Sequence, residues 1–191
     1  MINQVVPMSM IAQECSDAPF GCYAFNVRVR GEESVARTLR EKGYEVLLPS
    51  YIQKRQYSDR TKRVSCALFP GYMFAYATID SMMGILGTPG AHYVLRSGSK
   101  IAPLSAEDEK TIRALCLVKG ECEPCPHLEI GVRVLIKAGP LAGLTGILVN
   151  VRNRDRVIIS IESIHRSVMV EIDHASVQLL EGHAIRTQRA G

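Results

Sequence analysis

Leu68-Phe69-Pro70-Gly71-Tyr72-Met73-Phe74-Ala75-Tyr76 is the stretch on which the fold of this chain turns. Pro70-Gly71 is a turn pair, because proline presets φ and glycine supplies backbone angles that other residues avoid. Tyr72, Phe74 and Tyr76 then alternate with Met73 and Ala75, the period of a strand with two unlike faces. The chain has seven tyrosines and four phenylalanines, and four of these eleven rings fall between positions 69 and 76. Two readings stand side by side: an ordinary core strand, or a concave apolar surface that receives a partner helix. Aromatic anchors suit the second, since they dominate interface hot spots.

Upstream, residues 22–28 (CYAFNVR) alternate Tyr23, Phe25 and Val27 with smaller or polar residues, which predicts the first strand. Gly31 then opens a helix. Glu32 and Glu33 lie in its first turn, Val35, Ala36 and Leu39 form its buried stripe, and Arg37, Arg40 and Lys42 lie near its end. That charge order suits the helix dipole, and Gly43 stops it. A strand at 44–48 ends at Pro49. Residues 53–63 hold five cations, Lys54, Arg55, Arg60, Lys62 and Arg63, and one acid, Asp59. With Ser58-Asp59 as its turn, this is a polar hairpin or loop.

Downstream, Asp80 caps a short helix at 81–86, and a short strand lies at 93–95. Ser105 and Asp108 form a capping box for a helix to about 118, with Ile112 and Leu115 inward. Residues 120–127, GECEPCPH, carry two prolines, a glycine and no periodicity, and read as a linker. Beyond it, strand-like runs at 133–136, 147–151, 157–161 and 168–172 are separated by turns at 138–140, 143, 146 and 153–155. Glycines at 139, 143 and 146 permit tight turns and left-handed backbone. Short strands at this spacing predict a small β-barrel, too small to hold a ligand. The fold class is therefore α+β. Its parts are a flexible leader (1–19), a mixed domain with an antiparallel sheet and flanking helices (20–119), a linker (120–128), the small barrel (129–181) and a flexible tail (182–191).

The 191 residues are 47% hydrophobic with a mean hydropathy of +0.05, which supports a sizeable core and excludes a mostly disordered chain. No apolar run approaches the roughly 18 residues of a membrane span, so no membrane partner is expected. Without an export signal, the six cysteines are expected as reduced thiols in a cytoplasmic protein. A net charge of +4 permits nucleic-acid contact without requiring it.

Enzymatic motifs are absent: there is no GxSxG elbow, no glycine-rich phosphate loop and no HExxH. The histidines at 92, 127, 165, 174 and 183 show no paired spacing. No catalytic residue and no cofactor are expected. Cys122-x2-Cys125-x-His127 offers three ligands where a closed zinc site takes four, so no metal is expected either. The basic run has two readings, a solvated hairpin or a projection for phosphate contact.

The block LFPGYMF at 68–74 and the segment GVRVLIKAGPLAGLTGILV at 131–149, in this order, resemble the NusG family of transcription elongation factors. The first is similar to the signature of the family's N-terminal (NGN) domain, the second to a KOW motif in an SH3-like barrel. ExxVARxLREKGYEVLLP at 32–49, TPG at 88–90 and APLS at 102–105 add to the likeness, which spans roughly 21–181. The short link at Gly43 and the ISIESIHRSVMVEID ending look more like specialised paralogues of the RfaH and UpxY kind, antiterminators of particular long operons. The resemblance implies a monomer that binds RNA polymerase on the clamp helices of the β′ subunit, reaches toward the β subunit and suppresses pausing. It implies that Phe69, Tyr72 and Phe74 line an apolar depression for those helices, with Tyr23 in support. Arg28, Lys54, Arg55, Arg60, Lys62 and Arg63 become candidates for upstream or non-template DNA.

Leu141, Leu144 and Ile164 match the positions at which the barrel binds Rho, or NusE in its ribosomal role. The family favours Phe at the first two positions, and it usually has Trp where this chain has Cys22. Some RfaH relatives refold this region as a helical hairpin. The eight Val and Ile residues between 157 and 172 favour strands instead. Alternatives are a housekeeping NusG coupled to Rho or the ribosome, a KOW-containing RNA-binding protein, and a metal-dependent regulator using Cys122, Cys125 and His127.

Overall fold

The computed structural model describes residues 20–56, 61–97, 100–118, 122–125, 132–151 and 154–180. The leader, the Ser58-Asp59 turn, Arg60, Gly131, His127 and the tail fall outside the described residues. For Lys54, Arg55 and Lys62 only the backbone is described.

Four strands form the N-terminal sheet: β1 (Gly21–Val27), β2 (Val46–Leu47), β5 (Tyr72–Ala77) and β6 (Ala91–Val94), in the order β2-β5-β1-β6. The pairs are antiparallel, with Cys22 opposite Tyr76, Ala24 opposite Phe74 and Asn26 opposite Tyr72. A separate hairpin, β3 (Ser50–Gln56) with β4 (Thr61–Ala67), carries the basic run. A small pair, β7 (Arg96–Ser97) and β8 (Lys100–Ile101), follows.

Helix α1 (Glu32–Glu41) has the predicted charge order and buries Val35, Ala36 and Leu39. Helix α2 (Ile79–Leu86) is capped by Thr78, not by Asp80. The Thr78 hydroxyl accepts the Ser81 N–H at 3.3 Å, and the Ser81 hydroxyl accepts the Thr78 N–H at 2.7 Å. Asp80 instead lies in the first turn, where its charge suits the dipole. Helix α3 (Ala106–Leu117) begins at the predicted cap, Ser105.

The C-terminal half is a six-stranded antiparallel sheet in the order β14-β10-β11-β12-β13-β9. Its members are β9 (Cys122–Cys125), β10 (Val132–Ile136), β11 (Thr145–Val151), β12 (Arg154–Ile161), β13 (Arg166–Glu171) and β14 (Val177–Leu179). The Val/Ile-rich stretch is thus strand, broken only by a short 3-10 turn at Glu162–Ile164. The expected linker is corrected at Cys122–Cys125, which pairs with β13. Proline is tolerated there because β9 is an edge strand, where a missing N–H interrupts no inner ladder. Gly139 and Gly143 do take positive φ, at 83° and 79°. Gly146 serves another need: a Cβ there would run into Val157 and come within 2.7 Å of the Ile158 carbonyl, so only glycine lets β11 and β12 close up.

Burial divides into two apolar clusters. One joins Tyr23, Phe25, Met73 and Ala75 to α1 and α2. The other joins Phe69, Phe74, Ile112 and Leu115 to the interior of the C-terminal sheet. Among the described residues no helix is long and apolar enough to cross a membrane.

Candidate functional site

The site is built from the Pro70-Gly71 corner outward. Gly71 has φ +80°, and a Cβ there would press Val29 at 3.3 Å. Its carbonyl accepts the Val27 N–H at 2.9 Å and the Asn26 side-chain amide at 3.1 Å. Its N–H donates to the carboxylate of Glu32 at 2.8 Å. Glu32, read from sequence as a helix-dipole residue, is in fact buried and fixes this corner. A buried carboxylate requires such donors, so the corner is held from both sides.

The corner turns Phe69 back onto Phe74. The rings meet edge to face, with centroids 5.9 Å apart at 87°. Strand alternation then puts Tyr72, Phe74 and Tyr76 on the face that also carries Cys22 and Ala24. Tyr23 departs from the expected grouping. It pairs with Ala75, shares the opposite face and packs with α1 and α2, so it lines nothing beside Phe69 and Phe74.

The aromatic face is covered. Phe69 is 2% exposed and Phe74 0%, and Tyr72 is half-buried. Ile112 and Leu115 of α3 share their cluster, as do Leu141, Leu144 and Ile164 of the C-terminal half. The two groups of residues expected to bind different partners therefore lie in one apolar interior. Around it runs a polar rim. Asp108 of α3 accepts the N–H groups of Glu162 (3.2 Å) and Ser163 (3.0 Å) and the Ser163 hydroxyl. Lys110 donates to the Gly143 carbonyl at 3.1 Å, and the Arg166 guanidinium lies 5.9 Å from the Tyr72 ring centre. Nothing in the sequence signalled the Asp108 contact, because its partners lie 54 and 55 residues away.

At the other edge of this face, the Tyr76 hydroxyl donates to Glu109 and accepts from Arg113 at 2.9 Å, while Phe20 packs on its ring. Burial, and then the hydrogen bond to Glu109, raise the Tyr76 hydroxyl pKa. Burial, with help from Glu109, pushes the Cys22 thiol up to about 12. Burial alone takes Cys122 and Cys125 to about 11. These thiols are protonated near neutrality, which makes them weak nucleophiles. Among the described residues no three His, Cys, Asp or Glu side chains gather as a metal set.

Of the basic candidates, Arg28 and Arg63 are exposed. Register places Lys54 opposite Arg63 and Arg55 opposite Lys62 on the hairpin. Between that hairpin and the corner after β1 lies a cavity of about 410 Å³, with Arg30, Tyr51, Gln53 and Cys66 in its walls.

Residues 22–113 match the family described as NusG, transcription termination factor. The transcription termination/antitermination protein NusG of Halalkalibacterium halodurans is 23% identical over 163 residues, covering 82% of this chain and 92% of that protein. The structure of Thermotoga maritima NusG, described by its domain interaction, shares the fold at a TM-score of 0.57 and 19% identity. That match covers 85% of this chain and 98% of the other. Residues 22–113, from the first strand through most of α3, are thus the part of the chain that is similar to the NusG family.

Proposed function

We propose that this chain is a non-enzymatic transcription elongation and antitermination factor, a specialised NusG paralogue serving particular operons. Its N-terminal domain binds RNA polymerase through the face built by Phe69, Tyr72 and Phe74, on the clamp helices of the β′ subunit. The reading is carried by one observation: a T-shaped aromatic pair, aimed by a Pro-Gly corner whose glycine takes positive φ, on a sheet face whose cover includes the C-terminal sheet. A coiled pair of helices offers the apolar ridge that such a face takes once uncovered.

The mechanism is a population shift. A factor that binds the closed clamp better than the open one holds the enzyme in its processive form. A differential affinity of about 3 kcal/mol moves that balance roughly 100-fold. Arg28 and Arg63, with the register-placed Lys54, Arg55 and Lys62, supply phosphate contacts to upstream or non-template DNA, which carry no sequence information by themselves. The C-terminal sheet acts as a KOW barrel, with Leu141, Leu144 and Ile164 as its partner-binding residues for NusE or Rho. Because the aromatic face starts covered, the apparent affinity for polymerase is lowered by the fraction of molecules that are open.

The test is capture of purified polymerase by the full chain. Tyr72→Ala is expected to weaken capture tenfold or more, the range of an aromatic hot spot, and Phe69→Ala to do the same. Capture by both variants at the wild-type level would remove this face from the account.

A further inference from the structure

Glu32 opens α1, but its carboxylate does not serve that helix alone. It is 6% exposed and accepts the Gly71 N–H at 2.8 Å, far along the chain. Gly71 also closes on the strand that leads into α1. Its carbonyl takes the Val27 N–H at 2.9 Å and the Asn26 side-chain amide at 3.1 Å. Residues 28–31 form the turn between these two attachments. The Gly31 N–H donates to the Arg28 carbonyl at 2.9 Å, and the Arg28 N–H to the Gly90 carbonyl at 2.8 Å. Arg30 has φ +65°, an angle that a non-glycine residue keeps only where its surroundings fix it. Arg28, Val29 and Arg30 are exposed. One glycine therefore anchors both the corner that aims Phe69 and Tyr72 and the turn that presents two cations.

We propose that Glu32 is a positioning residue that clamps the aromatic corner and the cationic turn into one rigid body, so that polymerase and DNA phosphates are engaged together. The identity of the two partners rests on the polymerase-binding reading above; the clamp itself rests on its hydrogen bonds. Two contacts on a rigid body gain from effective concentration, and the same contacts on a loose joint lose much of that gain. Glu33 supplies the contrast. It shares the first turn and its dipole, yet it is exposed and lies 3.5 Å from Arg40. The helix end thus needs no buried acid, whereas the corner does. Without Glu32 the Gly71 N–H would lose its acceptor in a buried place, which costs far more than a surface bond.

Amide exchange on the full chain tests the clamp without polymerase. Glu32→Ala should speed exchange at Gly71 and Val27 about tenfold, and Glu33→Ala should leave both as they are. Glu32→Gln keeps an oxygen for the Gly71 N–H and should restore slow exchange. Should Glu32→Ala fail to fold, Glu32→Asp replaces it in every measurement, since it keeps the charge but withdraws the carboxylate by a methylene. Binding is then measured to free polymerase, to a DNA duplex alone, and to polymerase engaged on that DNA as an opened bubble. The gain from having both partners, corrected for binding to each alone, should fall about tenfold in Glu32→Ala and recover in Glu32→Gln. A merely structural Glu32 would weaken the separate affinities and leave the corrected gain untouched. Unchanged exchange at Gly71 and Val27, or an unchanged gain, overturns the clamp. A wild-type chain that ignores polymerase, while Glu32→Ala frees both amides, overturns the proposed function and leaves the clamp standing.

Discussion

The two faces of the N-terminal sheet are both dry at their centres and differently made. On one, Tyr23, Phe25, Met73 and Ala75, each 0% exposed, meet Leu39 of α1 and Met82 and Ile85 of α2. These covering helices are short excursions of the same sheet, joined to it by a few residues at each end. On the other, Phe69 and Phe74 meet α3 and then a sheet that begins after position 120. The second cover is fastened at its rim by a carboxylate, a lysine and a guanidinium, whereas α1 is tied to its own sheet by the Glu32 carboxylate on the Gly71 N–H and by Arg40 on the Val46 carbonyl. Degree of burial therefore does not distinguish the two faces. They differ in their cover: α1 and α2 come from within the sheet's own stretch of chain, whereas the second face meets a sheet that follows it in sequence.

The largest expected effect breaks this comparison if it fails. Phe25→Ala should cost about 3–5 kcal/mol, through lost transfer energy and a cavity. It should lower the denaturation midpoint and speed amide exchange throughout β1 and β5. Ile164→Ala truncates a side chain that is also buried, on the C-terminal cover of the second face. It should speed exchange around the 162–164 turn and leave β1 and β5 protected. If both variants deprotected β1 and β5 alike, the two faces would be one cooperative core.

Much of this was legible because strand alternation is a local property. The split of Tyr72, Phe74 and Tyr76 from Met73 and Ala75 follows from the period of two, and the structure keeps it. Tyr23 was misplaced because its face depends on register: pairing with Ala75 and not with Phe74 reverses its side, and no local signal sets that pairing. The strand at Cys122–Cys125 was hidden by Pro124, which marks a loop in sequence and is harmless at a sheet edge. Ser105 was recognisable as a cap, but the destination of the Asp108 carboxylate was not, since the donors come from a turn 54 residues on. Local chemistry could be read; partners brought together by the tertiary fold could not.

Cys22 sharpens the comparison, because its thiol lies on the face covered by α3 and the C-terminal sheet. Burial first, then Glu109, raise its pKa from 9.0 to about 12 in the folded protein. The unfolded thiol ionises first, so between pH 9 and about 12 the folded chain binds more protons and stability falls as pH rises. The contribution is complete below pH 9 and lost through about pH 12. Cys122 and Cys125, raised by burial to about 11, add to the same decline. Cys22→Ala should flatten the fall of melting temperature between pH 9 and 11 relative to wild type. An unchanged slope would mean that the thiol is hydrated, and hence that the cover is open most of the time.

The smallest effect concerns Arg113, which bridges the edge of the same face. It reaches Glu45 at 3.2 Å and Glu109 at 3.3 Å and lies over the Tyr76 ring at 4.8 Å. Its side chain is 47% exposed, so water and salt screen both ion pairs, and Arg113→Ala should cost no more than about 1 kcal/mol. Arg40 and Glu33 on α1 are 3.5 Å apart and also largely exposed, but lack any ring contact. Arg40→Ala should then cost less than Arg113→Ala, and molar salt should erase more of the first loss than of the second, because the stacked guanidinium keeps its contact with Tyr76 when the charges are screened. Equal losses with equal salt dependence would show the edge cluster to be ordinary surface charge that gains nothing from the Tyr76 ring.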